Sequence, residues 1–321
     1  MRPADLAPVV VAVVIGRNEG ARLAACLTSL KGQVRRVIYV DSGSSDGSAA
    51  LAAGLGAEVV ALDMTQPFTA ARARNAGLAL LSGNGFVQLV DGDCEVQPGW
   101  VATALEAMAA HPKAVVVCGR RRERFPEASI YNRLCDREWD TPLGQAKACG
   151  GDALMWLAAV QAVGGYRDDL IAGEEPELCL RLARMGGQIW RIDAEMTLHD
   201  AAMMRFGQWW RRSTRAGHAF AEGAALHGKG PEQHWVVETR RALLWGLGVP
   251  LLAVGLGLLH PLGLLVLALW PAQILRLALR DRTGLGPAIF AVLGKLAEAQ
   301  GVIAYWWGRL TRRKRGLIEY K

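Results

Sequence analysis

Between Ala242 and Leu275 run 34 consecutive residues without one Asp, Glu, Lys or Arg. An uncharged run of that length must be covered, either by protein or by lipid. His260-Pro261 interrupts it, because proline removes a helix donor and clashes with the preceding turn. The expectation is two apolar helices of about 17 residues each, roughly 25 Å long, against a hydrocarbon core of about 30 Å. A tight hairpin or a re-entrant pair therefore suits the run better than two upright spans. Arg240 and Arg241 flank one end, and Arg276, Arg280 and Arg282 the other. A hairpin puts both basic ends on the cytoplasmic side. The alternative is the core of a soluble helical subdomain or a dimer interface. The net charge of +7 fits nucleic acid, anionic lipid or a phosphorylated substrate equally well. Its placement decides: Arg309, Arg312, Arg313, Lys314 and Arg315 follow the apolar region, which favours a membrane surface over nucleic acid.

Upstream, the pattern changes. VVVAVVI (9–15) is a β-branched run of buried-strand type, and helical spacing follows in ARLAACLTSLKG. Strand-like RVIYV, AEVVAL, GFVQLV and AVVVC then alternate with helix-like segments, the last opened by Pro98. Such alternation implies an α/β domain with a mostly parallel sheet and helices on both faces. Ligands in these sheets sit at the carboxyl ends of the strands, where the polar motifs of this chain fall. The N-terminal apolar stretch is too short to span and lacks a typical cleavage site, so the domain is expected to stay in the cytoplasm. Six cysteines, no pair closer than 14 positions, form neither a zinc spacing nor a dense disulfide framework. Isolated buried thiols are expected.

Asp91-Gly92-Asp93 ends the GFVQLV strand. Two carboxylates can reach one hard cation while glycine lets the backbone approach a phosphate. DGD is also a common surface turn. Asp41 ends RVIYV and can accept from a base or ribose, while SGSSDG after it reads equally as a turn and helix cap. Arg72 and Arg74 open a helix, as a phosphate clamp or as a solvated face. Glu174, Glu175 and Glu177 crowd a helix start. Crowding raises carboxyl pKa values, which suits a general base, and acids at a helix start are also plain decoration. His199 is a metal-ligand candidate or a structural histidine; no HExxH spacing exists. Gln208, Trp209, Trp210, Arg211, Arg212 and Arg215 form an aromatic and basic cluster for sugars and phosphates, or an interfacial belt.

Taken in order, VVIGRNEGARLAACLTSL, VDSGSSDGS, ARNAGL, LVDGDCEVQPGW, GGDALMWLAAVQAVGGYRDDL and GEEPELCLRL resemble the motifs of the family 2 glycosyltransferases of the GT-A fold, over residues 9 to 220. The resemblance implies an inverting transfer of a hexose-type sugar from a nucleotide-diphosphate sugar. It implies donor contacts at Arg17, Glu19, Asp41, Arg74, Asp91, Gly92 and Asp93, and Mg²⁺ or Mn²⁺ at Asp93, Asp91 and His199. Glu175 falls where the family has an aspartate base, with Glu174 as reserve. Gln208 and Arg211 echo a Q-x-x-R-W motif whose tryptophan is replaced by Arg212, so single addition is favoured over processive synthesis. With Arg215 they mark the acceptor and diphosphate side.

The expected organisation is a GT-A catalytic domain over 1–225, a juxtamembrane segment over 226–241, and an apolar hairpin, amphipathic helix and basic tail over 242–321. The expected partners are a nucleotide-sugar donor, a lipid-linked or polysaccharide acceptor and membrane lipids, with no nucleic acid. A homo-oligomer or glycan-assembly partners are compatible. Two other readings compete: an inactive scaffold of a glycan-assembly complex, and a sugar-phosphate nucleotidyltransferase. The second lacks the glycine-rich loop it needs near the first strand.

Overall fold

A β-branched run needs neighbours on both faces, and the first strand has them. In the computed structural model, which describes residues 9–281 and 284–312, β1 (Val10–Gly16) is flanked by two parallel partners. The chain runs on through α1 (Ala21–Ser29), β2 (Arg36–Asp41), α2 (Ser48–Gly54), β3 (Glu58–Ala61), α3 (Ala70–Leu78) and β4 (Phe86–Asp91). These alternate strand and helix, and β3, β2, β1 and β4 lie side by side and parallel. Val13, Val14, Ile38, Val40, Val87 and Leu89 are all fully or almost fully buried between the helices of this half.

The second half of the sheet is mixed. β5 (Cys94–Val96), α4 (Trp100–Ala110), β6 (Ala114–Glu123), α5 (Ile130–Glu138), β7 (Gly144–Ala146), β8 (Ala153–Trp156), α6 (Leu157–Ala162), α7 (Glu174–Arg184) and β9 (Gln188–His199) complete the unit. The sheet order is β3-β2-β1-β4-β8-β6-β9-β5, with β7 also on β9. β8 is antiparallel to both β4 and β6, and β5 and β7 are antiparallel to β9, while β6 and β9 are parallel. The sheet is thus mostly parallel with three reversed strands. The reversal brings the loop before β8 to the carboxyl end of β4, where a parallel strand would have presented its far end. Pro98 lies just outside α4, whose N-cap is Gly99 at φ 77°.

The chain divides into two compact units, Met1–Ala202 and Met203–Lys321. Helix α8 (Phe206–His227), which the sequence places with the catalytic region to 225, belongs to the second. That unit continues through α9 (Val236–Leu243), a π turn over 244–248, α10 (Val249–Leu259), a 3₁₀ stretch over 261–268, α11 (Leu269–Asp281) and α12 (Leu285–Leu310). The break falls at His260, whose backbone is extended, as Pro261 demands. The expected halves of 17 residues come out longer. Helical structure is continuous over Val236–Leu259 (24 residues) and Pro261–Arg280 (20 residues), and α12 adds 26. All three are long and apolar enough to cross a membrane. The first gains its length from the amphipathic VVETRRAL, whose Glu238, Arg240 and Arg241 the charge count had set outside the run. Arg282, Arg313, Lys314 and Arg315 lie outside the described residues.

Within the second unit α12 is clasped by small residues. A Cβ on Gly217 of α8 would lie 2.0 Å from the Glu298 carbonyl oxygen, and one on Gly301 would lie 2.0 Å from that of Thr214. A Cβ on Gly246 would lie 1.9 Å from the Lys295 carbonyl oxygen. Only glycine permits such backbone approach. Trp210 Nε1 donates to Gln300 Oε1 at 2.8 Å, and Ala221, Ala242 and Val302 form a small buried cluster.

Candidate active site

The end of β4 carries the site. Asp91 is the last residue of β4, and Gly92 and Asp93 turn the chain into β5. Gly92 N–H donates to the Ile15 carbonyl at 2.8 Å, and a Cβ on Gly92 would meet that oxygen at 3.1 Å and Glu19 Cγ at 3.3 Å. The DGD turn therefore stands directly on the end of β1, which explains its glycine. Glu19 itself pairs with Arg22 at 2.8 Å. Arg17 is exposed on the same loop.

Arg74, 3% exposed, is the central tie. Its Nη2 donates to Asp91 Oδ1 at 2.7 Å and its Nη1 to Glu174 Oε1 at 2.7 Å, so α3 joins the end of β4 to the start of α7. A buried charge pair of this kind needs both partners present. Arg74 is thus engaged by carboxylates rather than turned outward. Arg72 serves a loop: its guanidinium donates to the carbonyls of Asp63, Gln66 and Pro67. Asp41 is buried and organises its own turn, accepting from Gly43 N–H, Ser44 N–H and the Tyr39 hydroxyl at 3.1, 2.9 and 3.1 Å. Asp46 likewise accepts from Ser48, at the first residue of α2.

The two halves of the DGD motif face different partners. Asp93 Oδ2 lies 3.2 Å from His199 Nε2 at the end of β9, because Cys94 pairs with His199 in the antiparallel register. Ligand atoms of Asp93, Cys94 and His199 all fall within 4.8 Å of one another, close enough to share one ion. Burial, followed by the charge of Arg121, lowers the His199 pKa to about 4, which leaves the imidazole neutral and able to ligate. Its Nδ1 is buried without a hydrogen-bond partner, and Trp139 packs edge-on against the ring at 4.7 Å. Burial pushes the Cys94 thiol well up, so a hard cation would draw on the carboxylate and imidazole instead. Asp91 forms a second such group with Cys94 and Asp152, their ligand atoms also within 4.8 Å of one another, and pairs with Arg74 at 2.7 Å and Arg121 at 3.8 Å. Of the three expected metal ligands, Asp93 and His199 fall in one group with Cys94, and Asp91 in the other, where it also pairs with the arginines.

Residues that the sequence reading passed over complete the site. Asp152, fully buried, accepts from Asp91 N–H at 3.0 Å and from the Thr197 hydroxyl at 2.9 Å, and pairs with Arg121 at 2.9 Å. Arg121 lies over the Trp139 ring at 5.6 Å. Gly151 has no room for a side chain: its Cβ would be 2.5 Å from Asp91 Oδ2 and 2.9 Å from Arg121 Nη2. The GGD triplet was visible before β8, but its link to Asp91 depends on the reversed strand, which alternation does not reveal.

At α7 the acidic residues separate by role. Glu174 is consumed by Arg74, and Glu177 by Arg181, which also donates to the carbonyls of Val163 and Gly165. Glu175 is half-buried between them. Burial, then the neighbouring Glu174 charge, raises its pKa to about 7. A carboxyl group poised near neutrality suits proton transfer. The cysteines are buried thiols as expected, with one difference: Cys149 and Cys179 are not isolated, since their sulfurs lie 3.6 Å apart.

In the second unit, Gln208 Oε1 accepts from the backbone N–H of Met204 and of Arg205 and caps α8. Arg211 and Arg215 follow one turn and two turns on.

The mixed sheet that gathers these acidic turns, the histidine and the Glu175 carboxyl group at its carboxyl edge has the GT-A fold. Residues 11–149 match the model of glycosyl transferase family 2. It is 24% identical over 322 residues to the succinoglycan biosynthesis protein ExoA of Rhizobium meliloti, covering 93% of this chain and 94% of the relative. It is 27% identical over 210 residues to the pre-mycofactocin glycosyltransferase of Mycobacterium tuberculosis, over 60% of this chain and 42% of that one. Among solved structures it resembles the mannosyltransferase PcManGT from Pyrobaculum calidifontis in complex with GDP-Man and Mn²⁺. The TM-score is 0.64 at 20% identity, over 96% of this chain and 91% of the other.

Proposed function

We propose that this chain transfers one sugar, with inversion, from a nucleotide-diphosphate sugar to a lipid-linked or polysaccharide acceptor at the cytoplasmic face of a membrane. The observation that carries the reading is the Arg74 bridge, which fixes the start of α7, and so Glu175, beside the DGD turn. The resemblance over nearly the full length to a succinoglycan biosynthesis protein supports a polysaccharide setting. The three long apolar helices support the membrane.

Asp91, Asp93, Asp152, Glu174 and Glu175 gather around the guanidiniums of Arg74 and Arg121. A diphosphate approaching this group of carboxyls needs a countercharge. Asp93 and His199 are the residues that would hold Mg²⁺ or Mn²⁺, which supplies Lewis-acid stabilisation of the departing diphosphate. Arg17, Glu19, Asp41 and Gly92 line the donor side, with Arg74 holding Asp91 in place. Glu175 takes the proton of the acceptor hydroxyl as its oxygen bonds to the anomeric carbon. The bond from that carbon to the diphosphate oxygen breaks, and the nucleoside diphosphate leaves with the electron pair. Gln208, Arg211 and Arg215 are assigned to the acceptor and diphosphate side, Gln208 through its cap on α8. The catalytic region extends to about 225 in this reading, with 226–241 as the juxtamembrane segment.

A screen of UDP-, GDP- and dTDP-sugars with Mn²⁺, read as nucleotide release, tests the donor class. Product anomeric configuration by NMR tests inversion, and a retained configuration rules it out. Failure to hydrolyse or transfer from any donor would favour the inactive scaffold.

A further inference from the structure

The apolar run has an apex at His260-Pro261 and a base marked by two tryptophans. Trp270 Nε1 donates to the Trp245 carbonyl at 3.2 Å, so the two legs are pinned at one level. Residues 246–269 between them contain no aromatic residue other than His260 and no Asp, Glu, Lys or Arg. Tryptophan marks a membrane interface, and a segment that crosses carries such anchors at both ends. Here the anchors stand at one end only.

Length points the same way. From Trp245 to Leu259 the first leg rises about 20 Å at 1.5 Å per residue. The second leg, 3₁₀ over Pro261–Ala268, returns over about 19 Å at 2.0 Å per residue plus one helical step or two. Both stop well short of a hydrocarbon core of about 30 Å. Val249 and Ala253 are buried, while the leucines toward the apex are open: Leu258 is 84% exposed, Leu259 83%, Leu262 64% and Leu265 66%.

The base of the first leg is covered on one side, and its cover leads to polar helices. Ala242 is buried against Ala221 and Val302, and Gly246 touches the Lys295 backbone. α12 in turn lies along α8, with Trp209 edge-on to Phe290 at 5.0 Å and His218 edge-on to Tyr305 at 5.3 Å. α8 carries Arg211, Arg212, Arg215 and Glu222 along that stretch, and α12 carries the Lys295–Glu298 pair at 2.6 Å. Moving α12 through the hydrocarbon would take these charges with it, at a cost of about 2.5–3.5 kcal/mol each on insertion scales.

We infer that residues 246–269 form a re-entrant wedge that enters one leaflet and turns back inside the bilayer, its occupant being acyl chain, while α12 lies at the interface beside α8. The inference rests on the membrane reading above and settles its topology. Gln233 and Thr311 then lie on the same side of the membrane.

The test uses the full chain in sealed membrane vesicles of both orientations, in which the six native thiols are buried. Single cysteines are introduced as Leu258→Cys, Leu262→Cys, Gln233→Cys and Thr311→Cys, and a membrane-impermeant maleimide is applied. Gln233→Cys and Thr311→Cys are expected to label from one common side. Labelling of Leu258→Cys and Leu262→Cys is expected to be at least about tenfold slower from either side, because a thiol in hydrocarbon does not ionise, and to appear in detergent. Apex labelling from the side opposite Gln233 overturns the wedge in favour of a crossing. So does labelling of Thr311 opposite Gln233, which would make α12 a third span. Apex labelling from the Gln233 side overturns insertion. Release by carbonate wash is the separate result that defeats the membrane reading itself.

Discussion

The two units of this chain break the usual inside-outside rule in opposite directions. The first buries charge: Arg74, Asp93, Asp152, Glu174 and His199 are all under 10% exposed. The second exposes apolar surface: the leucines on either side of His260 stand open. Each inversion costs free energy unless something compensates. In the first unit most of the compensation is internal, through the carboxylate–guanidinium ties, and the proposed cation with its diphosphate completes it. In the second it comes from outside, through lipid. The comparison yields tests, because a substitution that relieves one inversion should leave the other untouched.

The largest effect is expected at Asp93. Asp93→Ala removes the carboxylate beside His199 and should abolish most transfer, along with the metal-dependent part of nucleotide binding. Isothermal titration with the nucleotide, with and without Mn²⁺, checks it. Full activity in EDTA, or in the variant, would end the case for a metal. Next comes Glu175→Gln, expected to keep donor binding and lose about 10²-fold or more in turnover, in the range of general-base contributions. The pH profile separates this role from a structural one. A base whose pKa lies near 7 is protonated, and idle, as pH falls below that value. Turnover of the parent should therefore drop about tenfold per unit below that point and level off above it, and the limb should vanish in the glutamine variant. Glu174→Gln should instead lower stability, since it leaves Arg74 short of a charged partner in a buried place. If Glu174→Gln loses the acid limb while Glu175→Gln keeps it, the roles are exchanged.

A smaller loss is expected from packing. Gly151→Ala places a methyl group within 2.5 Å of Asp91 Oδ2, against groups that are tied on all sides. Overpacking of this kind costs about 1–3 kcal/mol. Thermal unfolding should show the drop, and the donor affinity should fall with it. A variant as stable as the parent would show that the arginine–carboxylate cluster is looser than its distances state.

Much of the fold and part of the site were legible in the residues alone. β-branched runs bounded by glycine and polar turns gave the parallel half, since buried strands there require little else. The break at His260-Pro261 was equally local, because proline's ring acts on its own turn. Asp91-Gly92-Asp93 and His199 were individually visible, but which carboxylate meets the histidine depended on the pairing of Cys94 with His199 across two strands far apart in sequence. Asp152 and Arg121 were missed for the same reason: their partners are set by the reversed β8, and an R-R-R run or a G-G-D triplet carries no mark of strand direction. Nor did composition show that the first apolar helix starts at Val236, since its charged turns cancel the apolar signal. Pairing across the sequence, not residue type, was the hidden quantity.

The smallest effect is expected where a charge pair belongs to neither inversion. Arg36 and Glu58 meet on adjacent strands, β2 and β3, at 2.5 Å, with side chains 41% and 46% exposed. Both groups keep most of their water, and the attraction between them is screened by salt and offset by side-chain entropy. Arg36→Gln should cost less than about 1 kcal/mol, shrinking further in high salt, with kcat and KM unchanged. The contrast with Arg74 is the point of the measurement, since both arginines pair with carboxylates at similar distances and differ in burial. Replacing Arg74 by Gln strands Asp91 and Glu174 in a buried site, where loss of one partner costs several kcal/mol. Chemical denaturation of the two variants in low and high salt compares them directly. Equal losses would mean that burial is not what gives the first unit's charges their weight, and the difference drawn between the units would fail at its first half.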